Sequence, residues 1–207
     1  MSLTAPLAPL AFTTPAAWAH AQLAYLDELL VEQAHLEKKA AAAAVQFLFR
    51  LPTHADVHRG LSALAREELV HFERTLRVLA QRGIGFTAQA PSPYAERLKA
   101  GAPRDLPARL AGELLVAAVI EARSHERLEL LARACADAAP DLAAFYADLG
   151  AAESRHAPIY VDAACLVLPP DDVTRLHREL VAHEAAVLRA LPFAPRLHSG
   201  WPEPARA

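Results

Sequence analysis

The sequence predicts an all-α protein, a four-helix bundle with a long crossover between its second and third helices and one additional C-terminal helix. Three observations carry the prediction. Apolar residues recur at three- and four-residue intervals through four long segments, the period of a helix face and not of a strand. Proline and glycine fall between those segments, where the chain has to turn. Near the middle, residues 83–107 are rich in breakers (Gly83, Gly85, Pro91, Pro93, Gly101, Pro103, Pro107), and this stretch is long enough to carry the chain from one helical hairpin to another.

The breakers set the expected elements in order. A first helix runs from near Pro15 to Arg50 and stops before Leu51-Pro52; Thr53 caps a second, which ends at Arg82-Gly83. These two form an antiparallel hairpin. The crossover from Gly83 to Pro107 follows, with one helical turn expected over Tyr94 to Lys99. A third helix spans about Ala108 to Ala138 and a fourth about Asp141 to Leu168, where Pro169-Pro170 ends it. Asp171-Asp172 opens a fifth helix to about Ala190, packed on the outside, and the Pro-rich tail from Pro192 is expected to be poorly ordered.

Composition narrows the function classes. A chain of 207 residues with 54% hydrophobic content can bury one sizeable core, and nothing divides it, so residues 1–207 are read as one domain with its core at about 15–190. Cys135 and Cys165 are the only cysteines and lack Cys-x-x-Cys spacing, which argues against thiolate metal sites and a disulfide framework and points to the reducing cytosol. Met1 to Phe12 has no positive leader region, and no run approaches the ~20 apolar residues of a membrane span.

The same acidic pattern occurs in both halves of the chain. Glu37 is followed 31 positions later by Glu68-x-x-His71, and Glu121 is followed 32 positions later by Glu153-x-x-His156. Residues three apart on a helix share a face and reach the same ion. In a ferritin-like bundle, a Glu from each of two helices and a Glu-x-x-His pair from each of the other two hold two metals. Helical phase puts these side chains on apolar stripes: Glu37 with Leu30, Ala44 and Leu48, Glu68 with Leu61, Leu64 and Phe72, Glu121 with Leu114 and Leu128, Glu153 with Leu142, Tyr146 and Leu149. Four ionised carboxylates converging in a core need compensating positive charge, which two divalent cations supply.

For any single Glu a buried salt bridge is the simpler reading; for the set of six, metal binding is. Glu32-x-x-His35 has the same form but falls with Tyr25, Glu28 and Lys39 on a stripe read as a solvated face. Glu67, four before His71, is the alternative to Glu68 and lies about 100° off the apolar stripe. Pro158 interrupts the fourth helix close to His156, with a kink as the expected result. Tyr146 and Tyr160 are read as core tyrosines, His125 as lying beside the third-helix stripe, and His54, His58, His177, His183 and His198 as surface or loop residues.

Around these positions the residues resemble a particular family. The strings Glu37-Lys38-Lys39-Ala40-Ala41, Leu64-Ala65-Arg66-Glu67-Glu68-Leu69-Val70-His71-Phe72-Glu73, Glu121-Ala122-Arg123-Ser124-His125-Glu126-Arg127 and Glu153-Ser154-Arg155-His156 are similar to the ligand helices of the tRNA isopentenyladenosine hydroxylases, over about residues 20–190. The resemblance implies a ferritin-like non-haem di-iron monooxygenase of the cytoplasm that hydroxylates the isopentenyl group of 2-methylthio-isopentenyladenosine at tRNA position 37. It carries over as metal ligands Glu37, Glu68, His71, Glu121, Glu153 and His156. Two iron ions, O2 as co-substrate, two electrons from an external reductase and docking of the tRNA anticodon loop come with it. His125 and Pro158 depart from the family pattern.

The formal net charge of −3 runs against a nucleic-acid partner, although two divalent ions would move it to +1. Arg50, Arg59, Arg66, Arg74, Arg77 and Arg82, with Lys99, Arg104 and Arg109, are the expected basic docking face. The competing readings are a di-metal peroxidase or catalase, an iron-storage protein, a coenzyme A-linked or small-molecule di-iron oxygenase, and a helical interaction module without metal.

Overall fold

The computed structural model describes residues 5–202, and among these the regular structure is helical throughout. After a short α1 (Ala16–Gln22) and a 3-10 turn (Leu23–Tyr25) come α2 (Leu26–Arg50) and α3 (Ala55–Gln81). The crossover carries α4 (Tyr94–Lys99), and α5 (Ala108–Cys135), α6 (Pro140–Ala164) and α7 (Pro170–Ala190) follow. The bundle consists of two hairpins, α2 packed along α3 and α5 along α6, with α7 lying outside against α5 and α4.

Amphipathic spacing dictates which faces meet. On α3 the buried positions Val57, Leu61, Leu64, Glu68, His71, Thr75 and Leu79 advance by three or four residues, one stripe along 27 residues. Two apolar clusters fill the interior. One takes Ala44 and Phe47 from α2, Leu61 and Leu64 from α3, Leu114 and Val119 from α5, and Tyr160 and Val161 from α6. The other takes Leu30 and Ala34, Leu79, Leu128 and Leu131, and Leu142 and Leu149 from the same helices. Between them, on all four helices, the core is interrupted by carboxylates and imidazoles.

The termini of the helices follow local chemistry with some differences from expectation. His54, and not Thr53, caps α3: its Nδ1 accepts from the Val57 amide at 3.5 Å, because the chain turns into the helix one residue later. Gly83 ends α3 with φ 70°, a left-handed conformation that suits glycine. The third helix ends at Cys135 and the fourth at Ala164, each a few residues early, and α6 starts on Pro140 and continues through Pro158. The expected first helix is broken at Leu23–Tyr25, with Tyr25 at φ −132°. Tertiary anchoring explains the break. The Trp18 indole donates to Ser199 Oγ (3.2 Å) and lies 4.5 Å from the Arg127 guanidinium, while Gln22 Nε2 donates to the carbonyls of Ala194 and Arg196 at 2.9 and 3.1 Å.

Those bonds also overturn the expectation of a poorly ordered tail for residues 192–202; its last positions, 203–207, lie outside the described residues. Residues 191–202 fold back over the bundle, and Leu197, His198 and Ser199 are buried. The tail satisfies polar groups that would otherwise be stranded. Arg127 Nη1 donates to the Leu197 and Ser199 carbonyls (2.5 and 2.8 Å), and the Leu197 amide donates to Glu32 Oε2 (2.5 Å). The turn closes at Gly200, whose amide donates to Pro192 O at 3.0 Å and where a Cβ would overlap the Leu191 carbonyl oxygen.

Candidate metal centre

Each bundle helix delivers its acidic position at mid-length, where the two apolar clusters part. Glu37 comes from α2, Glu68 and His71 from α3, Glu121 from α5, and Glu153 and His156 from α6, none more than 6% exposed. The six form two groups of four, Glu37, Glu68, His71 and Glu153, and Glu68, Glu121, Glu153 and His156, whose donor atoms lie within 4.8 Å of one another in each group. Glu68 and Glu153 belong to both. A pair of carboxylates shared by two donor sets is the geometry in which they would bridge two ions.

The electrostatics point the same way. Burial, then the charges of Glu153 and Glu68, holds the Glu37 carboxyl well above the usual carboxylate range; burial and then Glu153 does the same to Glu121. Burial also works against ionisation of Glu68, but His156 and His71 outweigh it and hold that carboxyl at about 2. Burial would lower His156, yet the carboxylates of Glu153 and Glu68 raise it to about 10. His156 Nδ1 lies 2.8 Å from Glu68 Oε1 without hydrogen-bond geometry, and both Glu68 oxygens and His71 Nδ1 are buried with no hydrogen-bond partner. Orphaned donors of this kind in one cluster, four carboxylates and two imidazoles, suit divalent transition metals, which take the place of the missing protons and partners.

The surrounding residues hold the cluster. Gln33 Nε2 donates to Glu37 Oε1 at 2.7 Å. Glu67, the alternative to Glu68, lies in neither donor set: it is partly exposed, receives Arg155 Nη2 at 2.5 Å, and lies 3.2 Å from His156 Nε2. Its contact leaves Nδ1 of His156 facing the cluster.

Several residues differ from their expected roles. Glu32 is buried, not solvated, because the tail covers it, and burial raises its carboxyl to about 7 against the bond from Leu197. His177 and His198 are buried as well. His198 stacks on Tyr94 at 4.5 Å with 3° between ring planes and has Nε2 3.2 Å from Ser124 Oγ. Beside it, Arg123 pairs with Glu184 (2.8 Å) and Glu126 (2.5 Å), and Tyr94 donates to Glu184 at 3.1 Å. The available signal was two arginines four apart, Arg123 and Arg127, on an otherwise buried helix face.

A cavity of about 460 Å³ opens between α2 and α5. Its buried end is lined by Glu37, Glu121, Glu153 and Tyr160, whose hydroxyl has no hydrogen-bond partner. Its walls are mostly apolar, with Ala40, Ala43, Phe47, Val116, Ala117 and Ile120, joined by Gln33, Tyr94, Ser124 and His198, and its exposed end carries Lys39, Gln46, Arg50, Lys99 and Glu113. The expected basic face along α3 does not border it. Arg74 and Arg82 instead pair with Asp148 (2.5 Å) and Asp141 (3.1 Å) of α6, and Arg59 with Asp56 (3.5 Å).

Comparison with known proteins agrees with this architecture. The chain is 34% identical to the tRNA 2-(methylsulfanyl)-N(6)-isopentenyladenosine(37) hydroxylase of Pseudomonas putida over 190 residues, 92% of this chain and 91% of that one. It is 32% identical to the enzyme of the same name from Salmonella typhimurium over 139 residues, 67% of this chain and half the length of the relative. Among solved structures it matches "Protein 43 with aldehyde deformylating oxygenase activity from Synechococcus" with a TM-score of 0.85 and 35% identity, covering 97% of this chain and all of that one; the bundle is ferritin-like. The model of the family described as tRNA-(MS[2]IO[6]A)-hydroxylase (MiaE) matches residues 2–199, and with four bundle helices, two shared carboxylates and an apolar cavity above them, the chain belongs to that family.

Proposed function

We propose that this chain is an O2-dependent tRNA hydroxylase that acts on the isopentenyl group of 2-methylthio-N6-isopentenyladenosine at position 37. Glu37, Glu68, His71, Glu121, Glu153 and His156 would hold two iron ions, Glu68 and Glu153 belonging to both donor sets. The observation that carries the reading is the cavity: a mostly apolar space of about 460 Å³ that reaches three of the six donors. When bound, the irons supply reductive activation of O2, with two electrons from an external reductase; one oxygen atom enters an allylic C–H bond and the other leaves as water.

The chain's own residues do the rest. Ala40 and Ala43 of α2 and Val116, Ala117 and Ile120 of α5 enclose the prenyl tail, aim its methyl at the donors and keep water from the buried end. Tyr160 places a buried hydroxyl with no hydrogen-bond partner at that end, beside Glu37, Glu121 and Glu153. Gln33 orients Glu37, and Glu67 holds His156 through Nε2. Outside, Lys39, Arg50 and Lys99 meet the phosphates of the anticodon loop, whose modified base is splayed into the cavity. A cytoplasmic site of action goes with the proposed tRNA substrate. None of the described helices is long and apolar enough to cross a membrane.

Reduced, iron-loaded protein supplied with O2, a reductase and tRNA bearing the modified base should add one oxygen to that nucleoside, read by mass spectrometry, and should leave unmodified tRNA unchanged. A parallel reaction with a fatty aldehyde tests the activity named for the Synechococcus protein. Aldehyde loss without tRNA oxidation would move the assignment to that chemistry; rapid peroxide consumption or iron mineralisation alone would move it to the peroxidase or storage class.

A further inference from the structure

We infer that Phe49 is a stacking platform for a nucleobase next to the one that enters the cavity; the inference rests on the tRNA reading above. Phe49 is 86% exposed, the most exposed large apolar side chain among the described residues, and Val45 one turn before it is 42% exposed. It is not an isolated surface residue. Phe49 does not itself line the cavity, but Gln46, three residues before it on α2, and Arg50, the next residue, both do, so the ring lies beside the cavity's exposed end. Arg50 faces the cavity, its guanidinium 5.8 Å from the Phe47 ring and paired with Glu113 at 2.5 Å.

The occupant follows from charge and shape. Three cations, Lys39, Arg50 and Lys99, line the exposed end of the cavity against one partly exposed carboxylate, Glu113. An aromatic face beside a positive rim fits a polyanion that carries flat π-surfaces. Drawing one adenosine out of an anticodon loop breaks its stacking and bares the face of a neighbouring base. At the rim, the Phe49 ring is placed to cover that face, in the way aromatic side chains take splayed bases in single-stranded RNA. Phe49 is a positioning residue, separated from the nearest expected ligand on its own helix, Glu37, by about three turns of α2.

The test uses full-length, iron-loaded protein and a labelled anticodon stem-loop carrying the prenylated adenosine, with the dissociation constant read by fluorescence anisotropy at fixed salt. Phe49→Ala should weaken binding about tenfold, Phe49→Leu nearly as much because it lacks a π-face, and Phe49→Trp should restore it. Leu69→Ala, an exposed apolar residue on α3, should bind as wild type. An abasic site beside the modified adenosine should weaken the wild type and have little effect on Phe49→Ala. Wild-type affinity in Phe49→Ala, or full retention in Phe49→Leu, would overturn the inference and leave the hydroxylase reading standing. A wild-type protein that does not bind the RNA at all would remove the tRNA reading and this inference together.

Discussion

Glu68 and Glu153 are shared by both donor sets, so each substitution there strikes two sites at once. Glu68→Ala should abolish most metal binding, measured as iron per chain after anaerobic reconstitution, while Glu67→Ala should keep the ions and at most weaken the His156 side. The reverse result would put the α3 ligand at Glu67. Glu32→Ala should leave metal content intact but cost about 1–3 kcal/mol in urea unfolding, since the Leu197 amide loses its acceptor in a buried setting. In metal-free protein the pH response has a definite sign. Glu37 and Glu121 keep their protons in the folded state well above the 4.5 at which they ionise in the unfolded chain, so stability present below that value is lost as pH rises through the folded pKa values. Glu32, raised to about 7, adds to the same trend; Glu68, held at about 2, acts with opposite sign only between about 2 and 4.5. Burial lowers His177 and His198, which oppose the trend up to about 6.5, and above that value His156, raised to about 10, adds to it. The urea midpoint of the metal-free protein should therefore fall between about pH 6.5 and pH 8, and added Fe(II) should flatten that slope by replacing the protons. A midpoint that rises over this range without metal would contradict the charge assignment.

At the scale of elements, the tail is a structural member and not an appendage. It covers Glu32, supplies carbonyls to Arg127 and places His198 against Tyr94, where both line the cavity. Gly200→Val should loosen this closure, because its side chain overlaps the Leu191 carbonyl, and should speed hydrogen exchange at the Leu197 and Gly200 amides while α3 and α6 remain protected. Glu184→Ala removes the acceptor of the Nε and Nη2 groups of buried Arg123, leaving only its Nη1 pair with Glu126, and should cost about 3 kcal/mol of unfolding free energy. An equal loss in exposed Arg175→Ala on the same helix would show that α7 is simply sensitive to substitution.

For the whole molecule, the formal charge of −3 and a locally positive cavity rim belong to different length scales. Charges beyond about 8–10 Å are screened at physiological salt, so the rim governs the encounter with RNA more than the net charge does. Binding of the modified tRNA should weaken with rising salt, and Lys99→Glu should lower affinity and flatten the salt slope while iron content stays at wild type. The same exchange at Arg77 on α3, which does not line the cavity, should have a smaller effect.

Helical period and breaker placement were enough to establish the four bundle helices, the crossover with its α4 turn, and the convergence of the six acidic and imidazole positions, because those depend on phase along a helix and on interactions within about one turn. The solvent exposure of Glu32 and His198 was misread for the opposite reason. Their burial is set by contacts between Glu32 and Leu197, 165 positions apart, and between Ser124 and His198, 74 apart, to which local periodicity is blind. The break between α1 and α2 likewise has no glycine or proline to announce it and follows from Trp18 and Gln22 binding the tail. The cavity belongs to this second class. It exists because α2 and α5 stand apart while each packs along its own hairpin partner, so its volume, its walls and its cationic rim emerge only when the two hairpins and the tail are brought together.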